Sequence, residues 1–195
     1  MEDIENIDCL SGTMWVADDR YLASIASIDQ VTENIYLSGI KPVNAQNILD
    51  KQIKLIICCA DPDEEILLCH QELLQQLPDI KIVVIPYDDV ETQCLADNLP
   101  ITSNTDLSEL HIDACDALTS ALNLMTRFKG NILVHCYAGI SRSVAVVCYY
   151  LMFTKVIPFD EALEIVQKVR PIADPNEGFT EELTSLGQMI LMLNR

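Results

Sequence analysis

No lysine or arginine falls between Lys81 and Arg127, and the whole chain of 195 residues has only 12 of them against 30 aspartates and glutamates. Nucleic acid and anionic lipid bind through clustered cations, so a chain with a formal net charge of −18 is expected to have neither as a partner. The stretch without basic residues holds Asp88, Asp89, Glu91, Asp97, Asp106, Glu109, Asp113 and Asp116. Such a run reads first as a solvated face, and second as a surface that docks a basic segment of a protein partner.

Long apolar runs are also missing. The longest, residues 144–153, falls well short of the roughly 20 residues that a membrane-spanning helix needs. Glu2, Asp3, Glu5 and Asp8 stand where a secretory leader would be positive, so the expected location is the cytoplasm or the nucleus. The eight cysteines lack metal-ligand spacing, and only Cys58 and Cys59 are adjacent. They read as reduced, mostly buried thiols rather than a disulfide framework or a metal cluster. No internal repeat or low-complexity segment is found. Half of the residues are apolar, enough for one sizeable core. Oligomeric state is left open.

What is present is an alternation of apolar runs. Strands are predicted at residues 31–39, 53–60, 81–87 and 131–134, and helices at 44–52, 64–77, 106–128, 143–155, 160–169 and 177–193. Asp160 is a plausible cap for its helix, and Gly130 helps to end the one before the last strand. This order predicts an α/β fold with a mostly parallel central sheet of about four or five strands flanked by helices. Residues 1–30 read as an extension and 31–195 as the domain.

The most informative segment joins the strand at 131–134 to the buried helix at 143–155: His135, Cys136, Tyr137, Ala138, Gly139, Ile140, Ser141, Arg142 and Ser143. A loop at a helix amino terminus offers unpaired N–H groups and the positive end of the helix dipole, which favour an anion. The same field and a nearby cation favour a thiolate, the nucleophilic form of Cys136. Arg142 offers a planar fork that grips two phosphate oxygens at once. Gly139 permits the positive φ or close approach of a tight anion nest. Ser143 is placed to donate its hydroxyl to the sulfur, and His135 to orient the loop by hydrogen bonding.

This segment resembles the signature of the cysteine-dependent protein phosphatases, a His-Cys pair followed five residues later by Arg-Ser or Arg-Thr. Within that superfamily it is most similar to the dual-specificity branch, where the filling found at residues 138–143 is common. Residues 31–39, and then Tyr150, Phe159, Val169-Arg170-Pro171 and the Pro175-Asn176-Glu177-Gly178-Phe179 run, follow the order seen in that branch. The resemblance implies a protein tyrosine phosphatase-like fold and a phosphoprotein phosphatase that passes through a phosphocysteine and needs no cofactor or metal. It implies Cys136 as nucleophile, residues 137–142 as the phosphate cradle, and Asn176 as a brace behind the loop. It also implies an aspartate as general acid, commonly three residues past a proline. Asp89 fits the Pro86 spacing, Asp88 lies beside it, and Asp106 lies nearer the usual distance from Cys136. The ambiguity arises because the gap from Asp89 to Cys136 exceeds the usual one by about fifteen residues, and segment 91–105 resembles an insertion.

By resemblance the substrates are phosphotyrosine and phosphoserine or phosphothreonine in proteins. The alternatives are a noncatalytic phosphoprotein-binding module, or a phosphatase of phosphoinositides or RNA 5′-phosphates. Tyr137, Ala138 and Ile140 add no charge to the loop, which disfavours the last two. In some phosphoinositide relatives a cysteine near the position of Cys58 or Cys59 forms a protective disulfide with the nucleophile. That pairing is carried here as an expectation for one of the two.

Overall fold

The computed structural model describes residues 19–97, 101–105 and 116–194. A short helix α1 (Asp19–Ile25) and strand β1 (Ile28–Gln30) lead into β2 (Ile35–Ser38), α2 (Ala45–Asp50), β3 (Ile53–Cys58) and α3 (Glu64–Gln76). Then come β4 (Lys81–Val84), β5 (Thr102–Ser103), α4 (Ala117–Arg127) and β6 (Asn131–His135). Three helices close the chain: α5 (Arg142–Lys155), α6 (Phe159–Val169) and α7 (Glu177–Leu193).

The sheet runs β1-β2-β6-β3-β4-β5, with β2, β6, β3 and β4 parallel and each edge strand antiparallel to its neighbour. The fold class is the expected α/β one, but the sheet has six strands rather than four or five. The two additions are three and two residues long, too short to leave an alternation in the sequence. Strand β1 lies within the stretch set apart as an extension, and pairs Ile28 with Ser38 and Gln30 with Tyr36.

Parallel strands are covered on both faces, which is why β3 and β6 read as nearly unbroken apolar runs. Ile56, Ile57, Leu133 and Val134 are fully buried. Helix α5 is buried almost all round; it lies against β2 and β6 and is packed by α4, α6 and α7. Its strand, β6, sits between β2 and β3. The β6–α5 loop therefore emerges at the middle of the sheet's carboxyl edge, where open α/β sheets hold ligands.

Two predicted boundaries are corrected. Asp160 does not cap α6: the helix starts one residue earlier, with Pro158 in the cap position, and Asp160 lies in the first turn. Proline's fixed φ, here −70°, suits that entry. Helix α4 begins at Ala117, with the Asp116 carboxylate accepting from Thr119 N at 2.8 Å and Thr119 Oγ1 at 2.7 Å. The ten residues predicted to precede it, 106–115, lie outside the described residues.

Candidate active site

The loop from Cys136 to Ser141 folds back on its own nucleophile. Cys136 Sγ accepts from Gly139 N and from Ser143 Oγ, each at 3.2 Å. Two donors aimed at the sulfur are placed to steady it as a leaving group. Gly139 has φ of 71°, and a Cβ there would run into the backbone of Ser38 and Gly39 and, at 2.6 Å, into Arg170 Nη2. Both the conformation and the space demand glycine. The end of β2 holds the loop from below through Ile40 N, which donates to Tyr137 O at 2.9 Å.

Ser141 stands at the amino-terminal cap position of α5 yet makes no side-chain cap. Its hydroxyl instead donates to Asp89 Oδ1 at 2.6 Å and accepts from Asn176 N at 3.2 Å. The first N–H groups of α5 thus keep no cap from Ser141, which leaves them free to face an anion beside Cys136. Arg142 enters the same space. Its Nη1 donates to Tyr87 O at 3.3 Å, and its buried Nε lies 3.5 Å from Asp89 Oδ2, an ion pair too long to count as a hydrogen bond. A half-buried guanidinium with spare donors suits an anionic guest.

Of the three candidate acids, the structure brings Asp89 into the site, held by Ser141, by Asn176 Nδ2 at 3.1 Å and by the charge of Arg142. Asp88 is exposed and makes no hydrogen bond to the loop among the described residues. Asp106 lies outside the described residues. Asn176 is both a helix cap and a brace: its Oδ1 accepts from Phe179 N at 2.9 Å, while Nδ2 and the main-chain N reach Asp89 and Ser141. Tyr137 is exposed at the rim, where its hydroxyl donates to Glu65 Oε2 at 2.7 Å.

The segment that resembles an insertion is docked where it is described. Leu95 is buried, Tyr87 Oη donates to its carbonyl, and Leu95 N and Ala96 N donate to the Glu182 carboxylate of α7 at 2.7 and 3.2 Å. Glu91 lies so close to Gly178 that a Cβ on that glycine would overlap its carbonyl. Residues 102–103 return as edge strand β5, where Asn104 closes the end of β4 through Ile82 N and Ile80 O.

Three supporting residues were not singled out for the site in the sequence. Arg170, fully buried, donates from Nε to Gly139 O at 2.6 Å and from Nη2 to Ala138 O at 3.0 Å. Its Nη1 reaches Ser24 O at 2.8 Å and Asp29 Oδ2 at 2.7 Å, so Asp29 balances a charge that would be costly to bury alone. His70 of α3 is the third. Its Nε2 lies 3.1 Å from His135 Nε2, the rings meeting edge to face at 5.3 Å. A carbonyl can only accept, so His135 Nδ1 donates to Cys136 O at 3.1 Å, and its Nε2 lone pair accepts from His70. Burial pushes His70 down to about 4 and, with the neighbouring ring, His135 down to about 3, so both are neutral at physiological pH. His135 orients the loop and is held away from any substrate. No sequence pattern links these residues; Arg170 stands out only within the Val169-Arg170-Pro171 run of the resemblance, with no role attached.

The two candidate redox cysteines separate by face. In register, Cys58 pairs with His135, and Cys59 N donates to His135 O at 2.7 Å, which brings the Cys59 main chain to the start of the reactive loop. Burial raises both thiols, Cys58 to about 12.

A nucleophilic thiol, an arginine fork, an uncapped helix and a facing carboxylate together define a cysteine-dependent phosphatase site. Residues 35–189 match the model of the dual specificity phosphatase catalytic domain, and the chain belongs to that family. It is 30% identical over 184 residues to the "Putative tyrosine-protein phosphatase R622" of Acanthamoeba polyphaga mimivirus, covering 82% of this chain and 83% of the viral protein. Rat dual specificity protein phosphatase 15 is 50% identical over 58 residues, and human dual specificity protein phosphatase 12 is 44% identical over 74. Those two matches span only 25% and 21% of the mammalian proteins. The crystal structure of DUSP15 superposes with a TM-score of 0.63 at 25% identity, covering 85% of this chain and 93% of that one.

Proposed function

We propose that this domain hydrolyses phosphotyrosine and phosphoserine or phosphothreonine in proteins through a phosphocysteine at Cys136. The observation that carries the reading is the sulfur of Cys136, which receives Gly139 N and Ser143 Oγ at the open amino terminus of α5 with Arg142 beside it. In the first step the thiolate attacks phosphorus in line. Arg142 and the loop amides of residues 137–142 hold the equatorial oxygens, and Asp89 gives its proton to the departing oxygen. In the second, water attacks the phosphocysteine and returns a proton to Asp89, while Ser143 steadies the departing thiolate. The matched family and relatives are protein phosphatases, which does not favour a noncatalytic phosphoprotein-binding module or a phosphoinositide or RNA phosphatase.

The rim supports a finer substrate choice. Glu65 meets Tyr137 at the mouth, with Asp63 at the same end of α3, and Asp88 lies exposed beside the acid. Acidic groups around an anion pocket favour a phosphoresidue flanked by lysine or arginine. The described part of the wider acidic stretch is less free for docking, since Asp116 caps α4 and Asp97 accepts from Cys94 N. The six described cysteines are all free thiols, which supports a cytoplasmic or nuclear setting.

The test compares kcat/KM for phosphotyrosine and phosphothreonine peptides with basic or acidic flanks, a phosphoinositide and triphosphorylated RNA. Peptides with basic flanks are expected to lead, by about tenfold over acidic ones. Preference for the lipid or the RNA overturns the protein-phosphatase reading, and equal rates for both flanks overturn the rim reading alone.

A further inference from the structure

We propose that Cys58, His70 and His135 form a binding site for a zinc-class divalent cation behind the reactive loop. Cys58 Sγ and one ring nitrogen from each of His70 and His135 all lie within 4.8 Å of one another, from β3, α3 and β6, and all three residues are buried. One thiol sulfur and two imidazole nitrogens make a borderline-soft donor set that suits Zn²⁺ and disfavours Mg²⁺ or Ca²⁺.

Two geometric facts support the assignment. With metal–nitrogen bonds of about 2.0–2.1 Å, two tetrahedral ligands lie about 3.3–3.4 Å apart, and the two Nε2 atoms are 3.1 Å apart here. A small separation of the rings would admit an ion where one proton now sits. The second fact is the partner of the other ring nitrogen. His135 Nδ1 is committed to the Cys136 carbonyl, which points its Nε2 lone pair inward, the arrangement that ligating histidines adopt. Cys58 has only a weak contact of its own, Sγ to Ala60 O at 3.8 Å, so little is lost when it turns to an ion.

Protons balance simply. Cys58 loses its thiol proton to solvent, the Nε2 proton of His70 moves to Nδ1, and one proton is released per ion. Three protein donors leave a fourth position for water. No cysteine or histidine spacing in the sequence signals this set, because its members stand at positions 58, 70 and 135 and meet only in the fold.

The site lies one residue behind the nucleophile, and the ring that would bind the ion also holds the Cys136 carbonyl. Occupancy would pull that carbonyl toward β3 and is expected to slow turnover. This consequence rests on the phosphatase reading; the site itself does not.

The binding test therefore uses the reduced, metal-free Cys136→Ser protein titrated with Co²⁺ and then Zn²⁺. Expected are one Co²⁺ per chain, the intense visible bands of a four-coordinate ion, a thiolate-to-cobalt charge-transfer band, one proton released, and displacement by Zn²⁺. Adding Cys58→Ser should remove the charge-transfer band, and adding His70→Gln should weaken binding at least about tenfold, whereas Cys59→Ser should change neither. X-ray absorption of the zinc-loaded Cys136→Ser protein should count one sulfur and two imidazoles, a readout that does not depend on the variants folding. A cobalt spectrum that stays six-coordinate without sulfur, or binding untouched by Cys58→Ser, would overturn the proposal. So would binding present in wild type and lost in Cys136→Ser, which would put the ion on the nucleophile.

Discussion

Ser141 gives its hydroxyl to Asp89 at 2.6 Å instead of capping the helix that it begins. One contact thereby does two things: it leaves the amino terminus of α5 without a side-chain cap, and it fixes the candidate acid beside Arg142. Asn176 ties the same pair to α7.

If Asp89 is the acid, Asp89→Asn lowers kcat by about 10²–10⁴ on phosphopeptides, the range for a lost general acid, and flattens the alkaline limb of the profile. Aryl phosphates with good leaving groups need less proton transfer and lose less. Asp88→Asn keeps near-normal turnover. Steady-state kinetics of both variants, with Asp106→Asn beside them, check the assignment; a normal Asp89→Asn enzyme removes it.

Gly178→Ala tests the docking of the acid loop on α7. The added methyl meets the Glu91 carbonyl, so the loop must shift and carry Asp89 with it. A drop in kcat of about tenfold on phosphoserine peptides is expected, with a smaller loss on aryl phosphates and little change in KM. An equal loss on both substrates would mean that the loop positions something other than the acid.

Asp29 supports the reactive loop through Arg170, and Asp29→Asn keeps shape while removing the charge. Expected are a loss of about 1–3 kcal/mol in urea-derived stability and a fall in kcat greater than the rise in KM, as the carbonyls of Ala138 and Gly139 lose their fixed donor. Arg170→Lys, which cannot span the same acceptors, is expected to cost more, about 3–5 kcal/mol.

If one of the two adjacent cysteines is the redox partner of the nucleophile, the register of β3 against β6 favours Cys59. Peroxide would oxidise the Cys136 thiolate to a sulfenic acid, and the Cys59 thiol would then displace water to give a disulfide. Peptide mapping after mild peroxide should find a Cys59–Cys136 link, and a thiol reductant should restore activity. Inactivation should become irreversible in Cys59→Ser and stay reversible in Cys58→Ser. A Cys58–Cys136 link would contradict the register argument.

The sequence was most legible where function is contiguous. Cys136, Gly139, Arg142 and Ser143 sit in one short loop between a strand and a helix, and local chemistry suffices to read their geometry. Asn176 stood out only through the family resemblance of the Pro175-Asn176-Glu177-Gly178-Phe179 run. Asp89 was one of three candidates because the segment after it obscures the spacing, and its contacts with Ser141, Asn176 and Arg142 set it apart. His70 and Asp29 gave no such signal, and Arg170, part of the Val169-Arg170-Pro171 run, gave no sign of its partners: His70 reaches His135 across 65 residues and Arg170 reaches Asp29 across 141. Long-range polar contacts leave no periodic trace, and neither do edge strands of two or three residues.

The most direct measurement is acid-quench mass spectrometry of the Asp89→Asn protein mixed with an aryl phosphate in the presence of a chelator. The account predicts one phosphoryl group on the peptide carrying Cys136, absent when Cys136→Ser is added. Turnover of the aryl phosphate that survives Cys136→Ser, with no phosphorylated cysteine peptide, would contradict it.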